Sequence, residues 1–239
     1  MKPVHLFTVD HRYPPRTEGG GCVQSLVVGV DCQSPGPSYA DMCAQYHVWP
    51  CWPDYQIVGF QGYRKHLDFR PGVTVKGDWV DVTVPEFKEY QAWQKHSGAY
   101  NIQLLLEDCD MLTNPPFDVS YNTNIGDDFS LSASAKDWGV LVSIMKNYGD
   151  FDFGITTVTS YCNLVTRGHV FNRWMEFWWQ VVNDMQFKME ESCSDPGPRP
   201  DIYLPRRMAF LSERIFSIWL NSAGLKVKPL PLLVCWEYN

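Results

Sequence analysis

The sequence is short of the features that mark several functional classes. It has no surplus of positive charge: 20 lysines and arginines stand against 27 acidic residues, for a formal net charge of -7. That balance argues against a nucleic-acid binder held by phosphate electrostatics. No apolar run is long enough to cross a bilayer, and the opening MKPVHLFTVDHRYPP breaks at Asp10, too early for a membrane span or a signal-peptide core. None of the eight cysteines (Cys22, Cys32, Cys43, Cys51, Cys109, Cys162, Cys193, Cys235) falls in a CxxC pair. A chain of 239 residues needs no disulfide staples to hold its core, so the expectation is free thiols in a reducing cytoplasm. There is no P-loop, GxGxxG turn, HExxH helix or nucleophile elbow. The six histidines (His5, His11, His47, His66, His96, His169) lack metal-ligand spacing, and no repeat or low-complexity tract appears.

What is present is an ordinary globular composition, 45% hydrophobic and 20% charged, read here as one domain over 1–239. Val4 to Val9 reads as a buried first strand with a functional loop behind it, and Val23 to Val30 as a second strand. QSPGPS then breaks the chain and offers Ser38 as N-cap, with Asp41 three positions on, for a helix from Tyr39 to Trp49. Met42, Tyr46 and Trp49 share one face of that helix, and Pro50 with Pro53 closes it. Tyr55 to Phe60 reads as a third strand, Pro85 to Lys95 as a helix, and Asn101 to Leu106 as a buried strand ending in Glu107, Asp108, Cys109 and Asp110.

The polar stretch from Asn114 to Lys136 reads as a long loop. Val170, Phe171, Trp174, Phe177, Trp178, Val181, Val182 and Met185 form one helical stripe, better explained by core packing than by an aromatic sugar platform. A last helix runs from Pro205 to Leu220 and stops at Gly224, before a strand-like Leu225 to Val234. Alternating strands and helices predict an α/β domain with a mainly parallel central sheet flanked by helices, with ligands at the carboxyl ends of the strands.

Three constellations suggest chemistry. Tyr63, Arg64, Lys65 and His66 crowd the end of the third strand, where cationic side chains supply charge-assisted donors to a diphosphate; a solvated surface cluster explains the same letters. In the last helix Met208, Leu211, Ile215 and Ile218 make the core stripe. Arg206 and Glu213 fall on another face, about 10.5 Å apart along the axis. A carboxylate there suits a general base and an arginine suits phosphate; a surface salt-bridge face with Arg214 is the plain alternative. Finally, Asp108 and Asp110 form a D-x-D, a pair of hard oxygen ligands for magnesium or manganese, though acidic residues also commonly end strands.

Several stretches together resemble the exopolysaccharide-biosynthesis glycosyltransferases long catalogued as a domain of unknown function. FLSERIFSIWLNSAGLKVKPLP resembles that family's F-L-S-E-R-L-F-x-x-W-L signature and closing strand. PSYADMCAQYHVWPCWPDYQIVGFQGYRKHLDF is similar to its N-x-x-Y-x-E-L-T-x-x-Y-x-x-W helix, following strand and H-Y-R-R-Y loop. Asp41 replaces the glutamate there, and Gln61 and Gly62 replace the residues before the tyrosine. VHLFTVDHRYPP keeps His11, Tyr13 and Pro14 of a T-H-K-x-Y-P loop, and YCNLVTRGHVFNRWMEFW places Asn163 before the long helix. From Asp108 to Asp150 the chain departs from the family's histidine-rich pattern.

The resemblance implies a GT-A-like fold and transfer of a hexose, with galactose from UDP-galactose the best guess, to a capsule or O-antigen type glycan or lipid-linked glycan. The place of the metal-binding DxD in related enzymes holds Gln61, Gly62, Tyr63 and Arg64 here, so no metal is expected, with manganese or magnesium on Asp108 and Asp110 the alternative. The expected roles are Glu213 as general base in an inverting displacement, and Asp10, His11, Tyr63, Arg64, Lys65, Asn163, Arg206 and Arg214 around the nucleotide donor. The expected location is cytoplasmic, compatible with peripheral attachment at the inner membrane. A non-catalytic glycan- or nucleotide-binding domain of a polysaccharide-assembly complex stays open as the rival.

Overall fold

The computed structural model describes residues 3–11, 19–28, 30–32, 37–190 and 197–238. In chain order these are β1 (Val4–Asp10), β2 (Val23–Val27), a 3-10 turn (Pro37–Tyr39), α1 (Met42–Val48), a 3-10 segment (Trp49–Asp54), β3 (Ile57–Gly62), β4 (Lys65–Leu67), β5 (Val80–Asp81) and α2 (Val84–Leu105). Then follow β6 (Met111–Thr113), β7 (Phe117–Asp118), a 3-10 turn (Ser120–Asn122), α3 (Ile125–Ser130), α4 (Ala135–Met145), β8 (Thr157–Val158), β9 (Leu164–Arg167) and α5 (Gly168–Glu190). The chain closes with α6 (Pro200–Tyr203), a 3-10 turn (Leu204–Arg206), α7 (Arg207–Ser222), β10 (Val227–Pro229) and β11 (Leu232–Val234). The expected loop residues Tyr13 and Pro14, and Cys193, lie outside the described residues.

Side-chain alternation along the strands divides the interior in two. Phe7, Val9, Val58, Phe60, Met111 and Leu164 face a large core shared with α1, α5 and α7. Leu6, Ile57, Leu112 and Val165 face a second core shared with Ile102 and Leu106 at the end of α2. With both faces covered, the strands read as near-continuous apolar runs. Gly59 in β3 is required by this closeness: a Cβ there would stand 2.6 Å from Val165 Cγ2 and 2.8 Å from Leu6 Cδ1.

The fold is α/β, but its sheet is mixed and strongly curled into a half-barrel, not mainly parallel. β1 lies between β2 and β3, parallel to both. Beyond β3, however, β9 enters antiparallel and joins β6, also antiparallel. At the other side a two-residue turn at Tyr63 and Arg64 reverses the chain from β3 into β4, and β11 pairs antiparallel with β4. Counting strands and helices along the chain cannot reveal a late strand such as β9 slipping between two early ones.

Three local expectations are corrected. Asn101–Leu106 is the end of α2: no proline breaks the helix after Lys95, and Gly98 is accommodated within it beside the Gln94 side chain. The stretch from Asn114 to Lys136 is structured, its helices started by Asn124, which accepts from the Gly126 and Asp127 amides, and by Ser134, which accepts from Asp137. Ser38 does not cap α1; its hydroxyl accepts from the Met208 amide at 3.4 Å.

The two long helices are amphipathic as their stripes predict. Trp174 and Trp178 of α5 are fully buried, their indoles donating to Gln45 and Ser212 at 3.0 and 2.8 Å, so this stripe is core. Met208, Leu211, Ile215 and Ile218 of α7 are buried as expected. Among the described residues seven cysteines are free thiols, and no helix is long and apolar enough to cross a membrane.

Candidate active site

At the carboxyl ends of β1, β2 and β3 lies a cavity of about 870 Å³, within the range of small-ligand sites. Three parallel strands expose their last residues there, and loops and helix ends close over them. β1 contributes Val9 and, just beyond it, His11; the start of α1 gives Ala40, Asp41 and Cys43; the β3–β4 turn gives Gly62, Tyr63, Arg64 and Lys65. The segment before β9 adds Ser160, Cys162 and Asn163, and the α7 region adds Arg206 and Glu213. Ala40 has φ of +46°, a left-handed conformation costly for a residue with a Cβ. It turns the chain from the Pro37–Tyr39 turn into α1 and so brings Asp41 into the cavity wall.

His11 and Asp41 form the closest charged pair of the site, Nε2 to Oδ1 at 2.6 Å. The hydrogen bond to Asp41 raises the imidazole above its ordinary value, against partial burial and the charge of Arg206. Burial pushes the Asp41 carboxyl up, but its bonds to His11 and Cys162 and the charge of Arg206 hold it below its ordinary value. Burial drives the Cys162 thiol well up, as does the Asp41 charge, so this side chain is a neutral donor to Asp41. The Tyr161 hydroxyl is likewise held protonated, chiefly by burial.

Charges on the cavity wall favour an anion. Among the described residues no carboxylate pairs with Arg64, Lys65 or Arg206; Arg64 and Lys65 instead lie over the Trp236 ring, and Arg206 over Phe210. The two acidic groups facing them already have partners: Asp41 has His11, and Glu213 Oε2 accepts from Arg214 Nη1 at 3.0 Å. An acidic protein thus presents a cationic cleft, an arrangement that concentrates field lines on an anionic ligand. Asn163, only 2% exposed, has a buried Oδ1 with no hydrogen-bond partner among the described residues, an acceptor open to a donor from a ligand or water.

Eight sequence-selected residues therefore come together: His11, Tyr63, Arg64, Lys65, Asn163, Arg206 and Glu213 line the cavity, with Asp10 buried immediately behind His11, its charge helping to raise the imidazole. Arg214 does not line it. Its guanidinium, 8% exposed, is taken by Glu213 and by Asp128 of α3 at 2.7 Å, over the Phe129 ring.

Asp108 and Asp110 stand elsewhere. Met111 pairs with Thr166, which pairs with Val58, so β6 starts level with the amino end of β3, opposite the end that opens on the cavity. Asp110 Oδ2 accepts from the Lys226 amide at 2.9 Å, bracing the approach to β10. Among the described residues no group of three or more His, Cys, Asp or Glu side chains is disposed to hold a metal ion. His66, expected in the basic cluster, is fully buried against Phe87 and Tyr90, and burial lowers its pKa to about 3. The residues missed as site candidates include Asp41, signalled by its place where the resembled family has glutamate, and its neighbour Cys162.

The fold is an α/β architecture with its cleft at the carboxyl ends of β1, β2 and β3. A solved structure described as the apo form of the bifunctional glycosyltransferase WbbM matches it with a TM-score of 0.76 at 19% identity, over 99% of this chain and 46% of that one. This chain thus spans about half the length of that protein. The chain belongs to the family described as "Domain of unknown function (DUF4422)", whose model matches residues 29–224. That span takes in Asp41, the β3–β4 turn and α7, and begins after His11. No curated protein matches the chain.

Proposed function

We propose that this protein is a glycosyltransferase that moves a hexose, galactose from UDP-galactose being the first candidate, from a nucleotide diphosphate to a hydroxyl of a surface-polysaccharide acceptor. The observation that carries the reading is the convergence of Arg64 and Lys65 with Arg206 and Glu213 on one cavity, within a fold similar to that of WbbM. Three cations without carboxylate partners among the described residues suit a diphosphate leaving group, since they stabilise the negative charge that grows on it as the glycosidic bond breaks. His11, whose pKa the hydrogen bond to Asp41 raises, adds a further positive group at the nucleotide end when it is protonated.

Glu213 is the general base of this mechanism. Its partner Arg214 fixes one carboxylate oxygen and keeps the side chain placed for an incoming hydroxyl. Attack from the side opposite the diphosphate forms the new glycosidic bond as the old one breaks, the acceptor proton passes to Glu213, and anomeric configuration inverts. The cations take the role that a divalent ion plays in metal-dependent transferases. Asp108 and Asp110, at the opposite end of the strands from the cavity, have no part in it.

The test is a panel of nucleotide sugars scored against the purified chain in the presence of chelator, by thermal stabilisation and by slow donor hydrolysis. Stabilisation by one nucleotide sugar with its hydrolysis supports transfer. Stabilisation by UDP with no turnover on any donor or acceptor favours a binding domain, and activity that needs manganese contradicts the cationic mechanism.

A further inference from the structure

Two tryptophans stand half in solvent beside the cavity, in contrast to the fully buried Trp174 and Trp178 of α5. Trp79 is 44% exposed and Trp236 48%. Their rings meet edge to face at 6.5 Å, and Trp79 continues to Phe117 at 6.3 Å. The row is held in place: the Trp236 indole N–H donates to Asp81 Oδ1 at 2.9 Å. Arg64 and Lys65 lie 5.4 and 5.5 Å from the Trp236 ring centroid, and both also line the cavity. The aromatic row therefore starts at the cavity wall and runs outward along the surface.

We propose that Trp236 and Trp79 form the acceptor subsite, and that its ligand is a saccharide chain. This rests on the donor reading above, which requires an acceptor to reach the cavity from outside. A pyranose ring presents apolar C–H faces and a rim of hydroxyls. The solvent-exposed parts of the two indoles match the former, and Asp81, with Arg64 and Lys65 lying over the Trp236 ring, offers acceptors and donors for the latter. A saccharide laid on this row extends its terminal hydroxyl past Arg64 and Lys65 toward Glu213. Valines 73, 75 and 80 are also exposed nearby in sequence, which raises membrane contact as the competing use. The carboxylates of Asp78 and Asp81 in the same stretch, and the indole tied to Asp81, favour the saccharide.

The full chain is tested on an array of lipid-free galactose- and glucose-containing oligosaccharides and, in parallel, on vesicles of phosphatidylglycerol and phosphatidylethanolamine. Trp79→Ala is expected to weaken oligosaccharide binding at least about tenfold, as truncating an aromatic anchor does, while stabilisation by UDP stays at the wild-type level. Trp236→Phe, which keeps an aromatic face, should retain more binding than Trp236→Ala. Oligosaccharide binding untouched by Trp79→Ala, no binding by the wild type, or vesicle binding that Trp79→Ala abolishes overturns the proposal. Loss of UDP stabilisation in the wild type instead removes the donor reading on which it rests.

Discussion

Two arginines at one end of the molecule, eight positions apart, are expected to fail in opposite ways. Arg206 is exposed and has no carboxylate partner among the described residues, whereas Arg214 is 8% exposed and paired with both Asp128 and Glu213. Replacing Arg214 with Met leaves two partly buried carboxylates without their cation. Because Asp128 and Glu213 keep 16% and 29% exposure, water compensates in part. The cost is then about 3 kcal/mol, the low end for a broken buried pair, and the melting temperature falls by roughly 6–12 °C for a chain of this size. Replacing Arg206 with Met changes stability by less than about 0.5 kcal/mol. It removes a charge-assisted phosphate contact of about 1.5–3 kcal/mol, and so weakens UDP binding roughly 10- to 150-fold. Differential scanning fluorimetry and titration calorimetry on the two variants read both quantities. Early melting of Arg206→Met with normal UDP binding, or wild-type stability of Arg214→Met with UDP binding lost, would reverse these two assignments.

Other consequences follow from packing and charge. Gly59→Ala inserts a Cβ between Val165 and Leu6 and should cost about 1–3 kcal/mol, read as a shifted denaturant midpoint with an unchanged slope. The His11–Asp41 pair carries a pH signature. The His11 pKa is raised above 6.5, so its contribution is whole below that pH and is lost as pH rises through the raised value. The Asp41 pKa is lowered below 3.8, so its contribution is present above that pH and lost as pH falls through the lowered value. Melting temperatures across this window should show both flanks in the wild type and neither in Asp41→Asn; identical profiles would contradict the pairing. Asp108→Asn should leave donor turnover in chelator unchanged, and a large loss would bring the acidic pair back into the mechanism.

How much of this was legible in the letters depended on how local the cause was. β1 was legible as a short apolar run ending at Asp10, and the cores of α5 and α7 because their buried faces recur at fixed spacing. The run from Asn101 to Leu106 was not, since a short apolar stretch fits a strand and a buried helix end equally well. The helices between Asn124 and Met145 carried readable caps at Asn124 and Ser134 beneath a polar composition that suggested a loop. At the site, the turn cations and Glu213 could be picked out as chemistry, but their meeting could not, because it depends on β3 and α7 coming together across more than a hundred residues. Nor did the letters distinguish Arg206 from Arg214: spacing along a helix gives a face, and only the partner helix α3, through Asp128, decides which arginine is consumed.

In the proposed mechanism Glu213 receives the acceptor proton in a cavity whose cations hold the donor. Glu213→Gln keeps the size of the side chain and removes its basicity, so the decisive measurement compares sugar transfer and UDP affinity in this variant and the wild type, both in chelator. Transfer is expected to be abolished while UDP affinity is preserved. Transfer at the wild-type rate in Glu213→Gln would contradict the proposed mechanism.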